Sequence, residues 1–355
     1  MRGSIPRRSI TTAQARVNCS QRGETSVNKS TIKTIAGIAM AGALTLSMAA
    51  CSGGSGDTAA GSDGELITVG FVAVGPEGGW RTANEQNIQD SFSTENGFEL
   101  KYAPATNGDQ NSQITAFTSF IDEGVDAILL SATEATGWES VLERAQEAEI
   151  PVILLDRGIE PNDEALYTSH IAPDNVGISS AAAEWANGQF ADGGNYVVLE
   201  GPPGLSVVND RNKGWDESID SKLKKLESQS ANWSTEEAKS VFETILKSNS
   251  NDVQLVFAQN DEMGLGAALA VEEAGLKPGT DVKIITIDGT KAALEALAAG
   301  RLSFVAEYNP LFGDVAVDVV KSAVAGESVE KNIVVESVTF DSPEAATTAL
   351  PDRKY

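Results

Sequence analysis

Three apolar runs in this chain end alike. Residues 150–155 close on Asp156-Arg157, 253–258 on Gln259-Asn260-Asp261, and 282–287 on Asp288-Gly289-Thr290, and helix-like sequence follows each tip. An unbroken apolar run of this length suits a strand covered on both faces, and such strands alternating with helices form a parallel sheet. In open sheets of that kind ligands bind outside the carboxyl ends of the strands. The polar tips therefore stand where a small polar molecule would sit.

The alternation covers most of the chain. After Glu65, strands are predicted at 67–74, 98–104, 127–131 and 152–155, with helices at 80–96, 110–123 and 137–149; 166–171 leads out of this series. A second series has strands at 196–200, 253–258, 282–287 and 303–308 among helices at 176–190, 211–225, 234–248, 263–274, 291–299 and 312–325. The 290 residues from Leu66 to Tyr355 exceed what one core normally serves. The expected fold is α/β, with two doubly wound parallel-sheet lobes joined by three crossing segments near 169–174, 307–310 and 331–335. The N-terminal lobe is expected to comprise 66–169 plus 309–331, and the C-terminal lobe 170–308 plus 332–355.

The first 65 residues are of another kind. Lys29 and Lys33 precede an apolar stretch, 35–48, too short to span a bilayer comfortably. Ala49-Ala50-Cys51 and a Gly/Ser/Asp-rich stretch to Gly64 follow. This resembles a bacterial lipoprotein signal, with cleavage before Cys51 and lipid on its sulfur; an ordinary secretory signal with an incidental Cys is the alternative. Residues 1–50 are expected to be a leader and 52–65 a flexible tether. Translation is expected to start near Val27, because the arginine-rich prefix fits a signal poorly. The mature protein is then exported and lipid-anchored to the outer face of the cell membrane.

Charge and cysteine content exclude several functions. Residues 1–50 hold seven of the 26 Lys and Arg but one of the 51 Asp and Glu, so the remainder carries about −31. Such a surface repels nucleic acid and anionic headgroups, leaving the acyl chains on Cys51 to hold the membrane. Cys19 falls in the leader, so nothing after Cys51 supplies a thiol for a disulfide or a nucleophile. His170 is the only histidine, and one His without cysteines does not make a structural zinc site. There is no Walker A pattern and no G-x-S-x-G elbow, and the loop 75–79 lacks the spacing of G-x-G-x-x-G. No catalytic residue, cofactor or metal is expected.

Six segments carry a family resemblance: GVDAILLSA (124–132), AEIPVILLDR (148–157), SHIAPDN (169–175), NDRNKGW (209–215), FAQNDEM (257–263) and TIDGT (286–290). In this order and spacing they resemble the periplasmic sugar-binding proteins of ABC importers, in the ribose/galactose group. GGWRTANE (78–85), ATGWESVL (135–142) and LLDRGI (154–159) are most similar to the galactofuranose-binding branch. The match runs from Val69 to about Gly313. It implies a type I periplasmic binding protein fold and a monosaccharide between the lobes, galactofuranose or a related galactose form. It also implies a monomer that delivers the sugar to a membrane permease with a cytoplasmic ATPase.

By position in these motifs, Asp156, Arg157, Arg211, Asn260, Asp288 and Glu307 are expected to face the sugar. Sugar hydroxyls both donate and accept, so guanidinium, carboxylate and amide groups suit them. Trp80 is expected to stack on the ring and Arg81 to donate to it. The family often has two aromatics there; Arg81 replaces the second, as in the galactofuranose branch. Trp233 matches an aromatic that covers the other face, and Glu77 and Thr136 are further candidates. Trp138 and Trp215 lie inside helical patterns and read as structural.

Taken singly, each residue has another reading. Asp156-Arg157 suits a surface ion pair, and Asn260-Asp261 and Asp288 suit helix caps. Arg211 suits a solvated helix, Trp80 a core, and Trp233 packing on the helix after Ser234. Their joint occurrence in the family's order favours the site. Paired carboxylates would also suit a glycosidase, but Arg81, Arg157 and Arg211 beside them are expected to keep them ionised. Another pentose, hexose or signalling polyol, read by a sensor receptor, is the remaining alternative.

Overall fold

The computed structural model describes residues 65–355. In chain order its strands are β1 (Ile67–Ala73), β2 (Phe98–Pro104), β3 (Ala127–Leu130), β4 (Val152–Leu155), β5 (Ser169–Ala172), β6 (Gly194–Glu200), β7 (Leu223–Ser230), β8 (Leu255–Ala258), β9 (Lys283–Asp288), β10 (Phe304–Glu307), β11 (Asn332–Val334) and β12 (Thr339–Phe340). The helices are α1 (Gly79–Ser91), α2 (Gln110–Glu123), α3 (Glu139–Glu147), α4 (Asn175–Gln189), α5 (Ser206–Ser218), α6 (Thr235–Ser248), α7 (Asp261–Glu273), α8 (Lys291–Ala298), α9 (Gly313–Val324) and α10 (Pro343–Ala349).

The strands form two six-stranded sheets, β11-β5-β4-β3-β1-β2 and β12-β10-β9-β8-β6-β7. Every pairing is parallel except β10 with β12. These are the two α/β lobes of the type I periplasmic binding fold. Each sheet reverses its winding beside its first strand, where an open sheet has room for a ligand. β4, β8 and β10 are buried at every position, as unbroken apolar runs require. Helices start on short polar caps: Asp174 accepts from Gly177 N, Ser234 from Glu237 N and Asn260 from Met263 N.

One apolar cluster runs through both lobes. It includes Phe71 and Ile153 of the first sheet, Tyr196 and Phe257 of the second, and Trp80, Tyr308 and Phe312. Trp138 and Trp215 are each 1% exposed, and Trp215 stacks on Phe257 at 4.2 Å and 8°. A fully buried ring such as Phe257 contributes roughly 1.5–3 kcal/mol.

The structure corrects two expectations, the lobe boundaries and one helix. The division at 169/170 cuts through β5, which pairs with β4 and β11 in the first sheet. Residues 170–172 and 332–334 therefore belong to the N-terminal lobe, held by the register Ile153↔Ser169 and by His170 N donating to Lys331 O at 2.8 Å. The chain crosses just after β5, after β10, and between β11 and β12. Finally, the helix expected at 211–225 starts earlier, at Ser206, and gives way to β7. β7 (LKKLESQS) is an edge strand with one buried residue, and exposed edges favour lysine over the β-branched residues that mark inner strands.

Candidate functional site

The N-terminal lobe contributes a charged cluster. Asp156 follows β4 with φ 66, a conformation that costs a non-glycine residue roughly 1–3 kcal/mol and persists where the surroundings demand it. Arg81 reaches it from the first turn of α1 and donates Nη2–H to Asp156 Oδ2. Arg157 pairs through Nη2 with Glu77 Oε2, and its Nε stands 3.8 Å from Asp156 Oδ2. Asp156 Oδ1 accepts from the Tyr308 hydroxyl at 2.8 Å. Arg81, Asp156 and Arg157 are at most 4% exposed.

The C-terminal lobe contributes Arg211 on α5. Its Nε donates to Asn175 Oδ1 at 2.9 Å and its Nη1 to the Gln259 carbonyl; Nη2 lies 3.7 Å from Asp288 Oδ1. The guanidinium sits over the Tyr308 ring, 4.7 Å from its centroid, and 5.6 Å from that of Trp233. Asn260 serves two functions: its Oδ1 caps α7, and its Nδ2 donates to Glu262 Oε2 at 2.8 Å. Asp288 and Trp233 also take positive φ, 131 and 60. Trp233 lies so close over Gly201 that a Cβ there would stand 2.0 Å from the indole.

Together these residues line one cavity: Glu77, Trp80, Arg81, Asp156, Arg157, Val207, Arg211, Trp233, Asn260, Glu262, Asp288 and Tyr308. Arg81 Nε, Arg157 Nε and Trp233 Nε1 are buried there without a protein hydrogen-bond partner. The carboxylates are not alike. Burial alone would raise Asp156, but Arg81 and Arg157 outweigh it and hold its carboxyl below the usual range. Burial pushes Asp288 well above that range; Arg211 draws it back only partly, and the Asp261 and Glu262 charges add to the rise. The arginines therefore hold the charged form at Asp156 but not at Asp288 to the same degree, because there burial outweighs the attraction of Arg211. Among the described residues, no group of three or more His, Cys, Asp or Glu is placed to hold a metal, and no helix is long and apolar enough to cross a membrane.

A family model described as the periplasmic binding protein domain matches residues 69–328. The chain belongs to that family. This periplasmic binding protein is 54% identical over 317 residues to the fructose import binding protein FruE of Bifidobacterium longum (strain NCC 2705), covering 88% of this chain and 95% of the relative. It is 36% identical to the galactofuranose-binding protein YtfQ of Escherichia coli (strain K12), over 81% of this chain and 92% of the relative. A solved structure from Mycobacterium smegmatis in complex with β-D-fucofuranose superposes with a TM-score of 0.78 at 42% identity, over 82% of this chain and 96% of that one.

Of the sequence candidates, nine line the periplasmic binding protein's cavity and two do not. Glu307 turns to the C-terminal tail, where its carboxylate accepts from Arg353 Nη1 at 2.5 Å, the Tyr355 hydroxyl at 2.8 Å and Val338 N at 3.1 Å. Its neighbour Tyr308 faces the cavity instead, because successive residues of an extended chain point to opposite sides. Thr136 lies on an exposed loop, its carbonyl accepting from Gln110 Nε2 at 2.5 Å. Val207, Glu262 and Tyr308 went unselected. For Glu262 a signal existed, since it stands inside FAQNDEM beside Asn260.

Proposed function

We propose that this chain binds one monosaccharide in its five-membered furanose form between the lobes and delivers it to a membrane permease. The observation that carries this reading is a small cavity whose walls combine two guanidinium Nε–H groups and an indole N–H without protein partners, carboxylates of both lobes, and Trp80 and Trp233. Such donors and acceptors suit hydroxyls, and the aromatic faces suit the C–H side of a sugar ring. The relatives' names add support: two are named for galactofuranose and fucofuranose, and fructose, for which FruE is named, readily forms a furanose ring. Fructose therefore stands beside galactofuranose as a first candidate. The rest of the proposal rests on the sequence. Cys51, which lies outside the described residues, carries the lipid that anchors the protein, a monomer, to the outer face of the cell membrane.

The test is calorimetry and thermal shift with fructose, galactofuranose, arabinose, ribose, pyranose-locked methyl glycosides and small polyols. A ligand at 100 times its Kd is expected to add about 2.7 kcal/mol of stability. Binding of a furanose-forming sugar and rejection of the pyranose-locked glycosides supports the proposal. Preference for a locked pyranose overturns the ring form, and release of sugar from a glycoside overturns binding without turnover.

A further inference from the structure

Helix α1 begins without a cap of its own. Gly78 holds the N-cap position with φ 107, and neither a side-chain acceptor nor an acidic residue occurs in the first turn. A helix leaves its first N–H groups without intrahelical partners and carries partial positive charge there. The acceptor comes from the other lobe. Glu262, in the first turn of α7, takes Gly79 N–H on Oε1 at 2.9 Å and Asn260 Nδ2 on Oε2 at 2.8 Å. The approach is close: a Cβ at Gly78 would stand 2.8 Å from Oε1. The carboxylate thus lies between two helix N-termini, its own and that of α1, and α1 carries Trp80 and Arg81 into the cavity.

We propose that Glu262 is an interlobe latch, a positioning residue that caps α1 across the cleft and sets how long the lobes stay together around the sugar. The proposal rests on the sugar-binding reading of the cleft. When the lobes part, the Gly79 N–H and the carboxylate each return to water. The contact therefore exists only in the closed arrangement and acts on release, not on encounter. Among the described residues one other hydrogen bond outside the crossing segments joins the lobes, Gly158 N to Ser206 Oγ at 2.9 Å, between neutral groups.

The experiment compares wild type with Glu262→Ala and Glu262→Gln. Sugar release is measured by stopped flow with the sugar that wild type binds, and Gly79 amide exchange by NMR at saturating sugar. In Glu262→Ala, release is expected to quicken about tenfold, association to stay within about twofold, and Gly79 exchange to quicken with release. Glu262→Gln, which keeps an acceptor oxygen, is expected to fall between. Faster release with unchanged Gly79 exchange overturns the latch and makes Glu262 a sugar contact; no change in either also overturns it. A wild type that binds no sugar of the panel defeats the functional reading alone, and Gly79 exchange in the free protein then decides the latch by the same comparison.

Discussion

Tyr308 donates its hydroxyl proton to Asp156 Oδ1 at 2.8 Å, and this bond ties the arginines of the two lobes into one chain. Arg211 Nε donates to Asn175 Oδ1, Asn175 Nδ2 donates to the Tyr308 oxygen at 3.1 Å, and Asp156 accepts from Arg81 on its other oxygen. Tyr308 lies on a crossing segment, so the relay passes through the connection between the lobes. Burial and the Asp156 charge hold its phenol well above the usual range, which keeps the donated proton in place.

Tyr308→Phe keeps the ring and removes the hydroxyl, leaving Asp156 Oδ1 and Asn175 Nδ2 without that partner. Stability is expected to fall by about 1–3 kcal/mol, with weaker sugar binding. Urea denaturation and calorimetry check this; an unchanged midpoint would remove the relay from the account.

Arg157→Ala is expected to raise the sugar Kd at least about 100-fold, since charge-assisted hydrogen bonds are the strong ones. The fold is expected to persist, because Asp156 retains Arg81. Circular dichroism reports the fold and calorimetry the affinity. An affinity equal to wild type would take Arg157 out of the site.

Asp288→Asn is expected to stabilise the sugar-free protein near pH 7.5 while weakening binding. Below about pH 3.9 the folded and unfolded states both hold the proton and the carboxyl costs nothing. As pH rises, the unfolded chain releases its proton while the folded carboxyl, raised by burial, keeps it, so stability is lost until pH passes the folded value. Asn does not titrate. The Tm difference between variant and wild type should therefore open as pH rises and close toward about pH 4. A difference independent of pH would contradict the raised carboxyl.

Glu307→Ala strands a largely buried Arg353, whose side chain is 8% exposed. Breaking such a pair costs about 3–5 kcal/mol, and replacing both residues with apolar ones should recover much of it. Sugar affinity is expected to change little in the double variant. A large loss of affinity there would restore Glu307 to the site.

Cys51→Ser is expected to release the protein from the membrane fraction on cell fractionation. Retention of the variant would refute the lipid anchor.

The sequence made the parallel lobes legible because the inner strands are unbroken apolar runs with polar ends. It concealed β7 because an edge strand buries little and so has no need of Val or Ile. The lobe boundary was hidden for a related reason: β5 and β11 are short, and nothing local says which sheet they pair in. Within the site, Asp156, Arg157 and Asp288 were legible as strand tips. The choice of Glu307 over Tyr308 failed on which side of an extended segment each faces, and that depends on the tail from Arg353 to Tyr355 folding back. Asn260 shows that the two readings of a strand-to-helix junction need not compete, because one residue caps a helix with its amide oxygen and also lines the cavity.

The chain passes between the lobes three times, after β5, after β10 and between β11 and β12. Three ties of this kind oppose sliding and favour a swing about the crossings. Swinging turns the cleft into a lever whose far end moves most. A ligand slightly too thick for the space beside Tyr308 holds the rim apart by a larger distance, and a hydrogen bond as short-ranged as Gly79 to Glu262 does not survive that gap. Size is then judged also where Gly79 meets Glu262, at the edge of the cavity beside Trp80, and a change in the loop before α1 would alter which molecules are held.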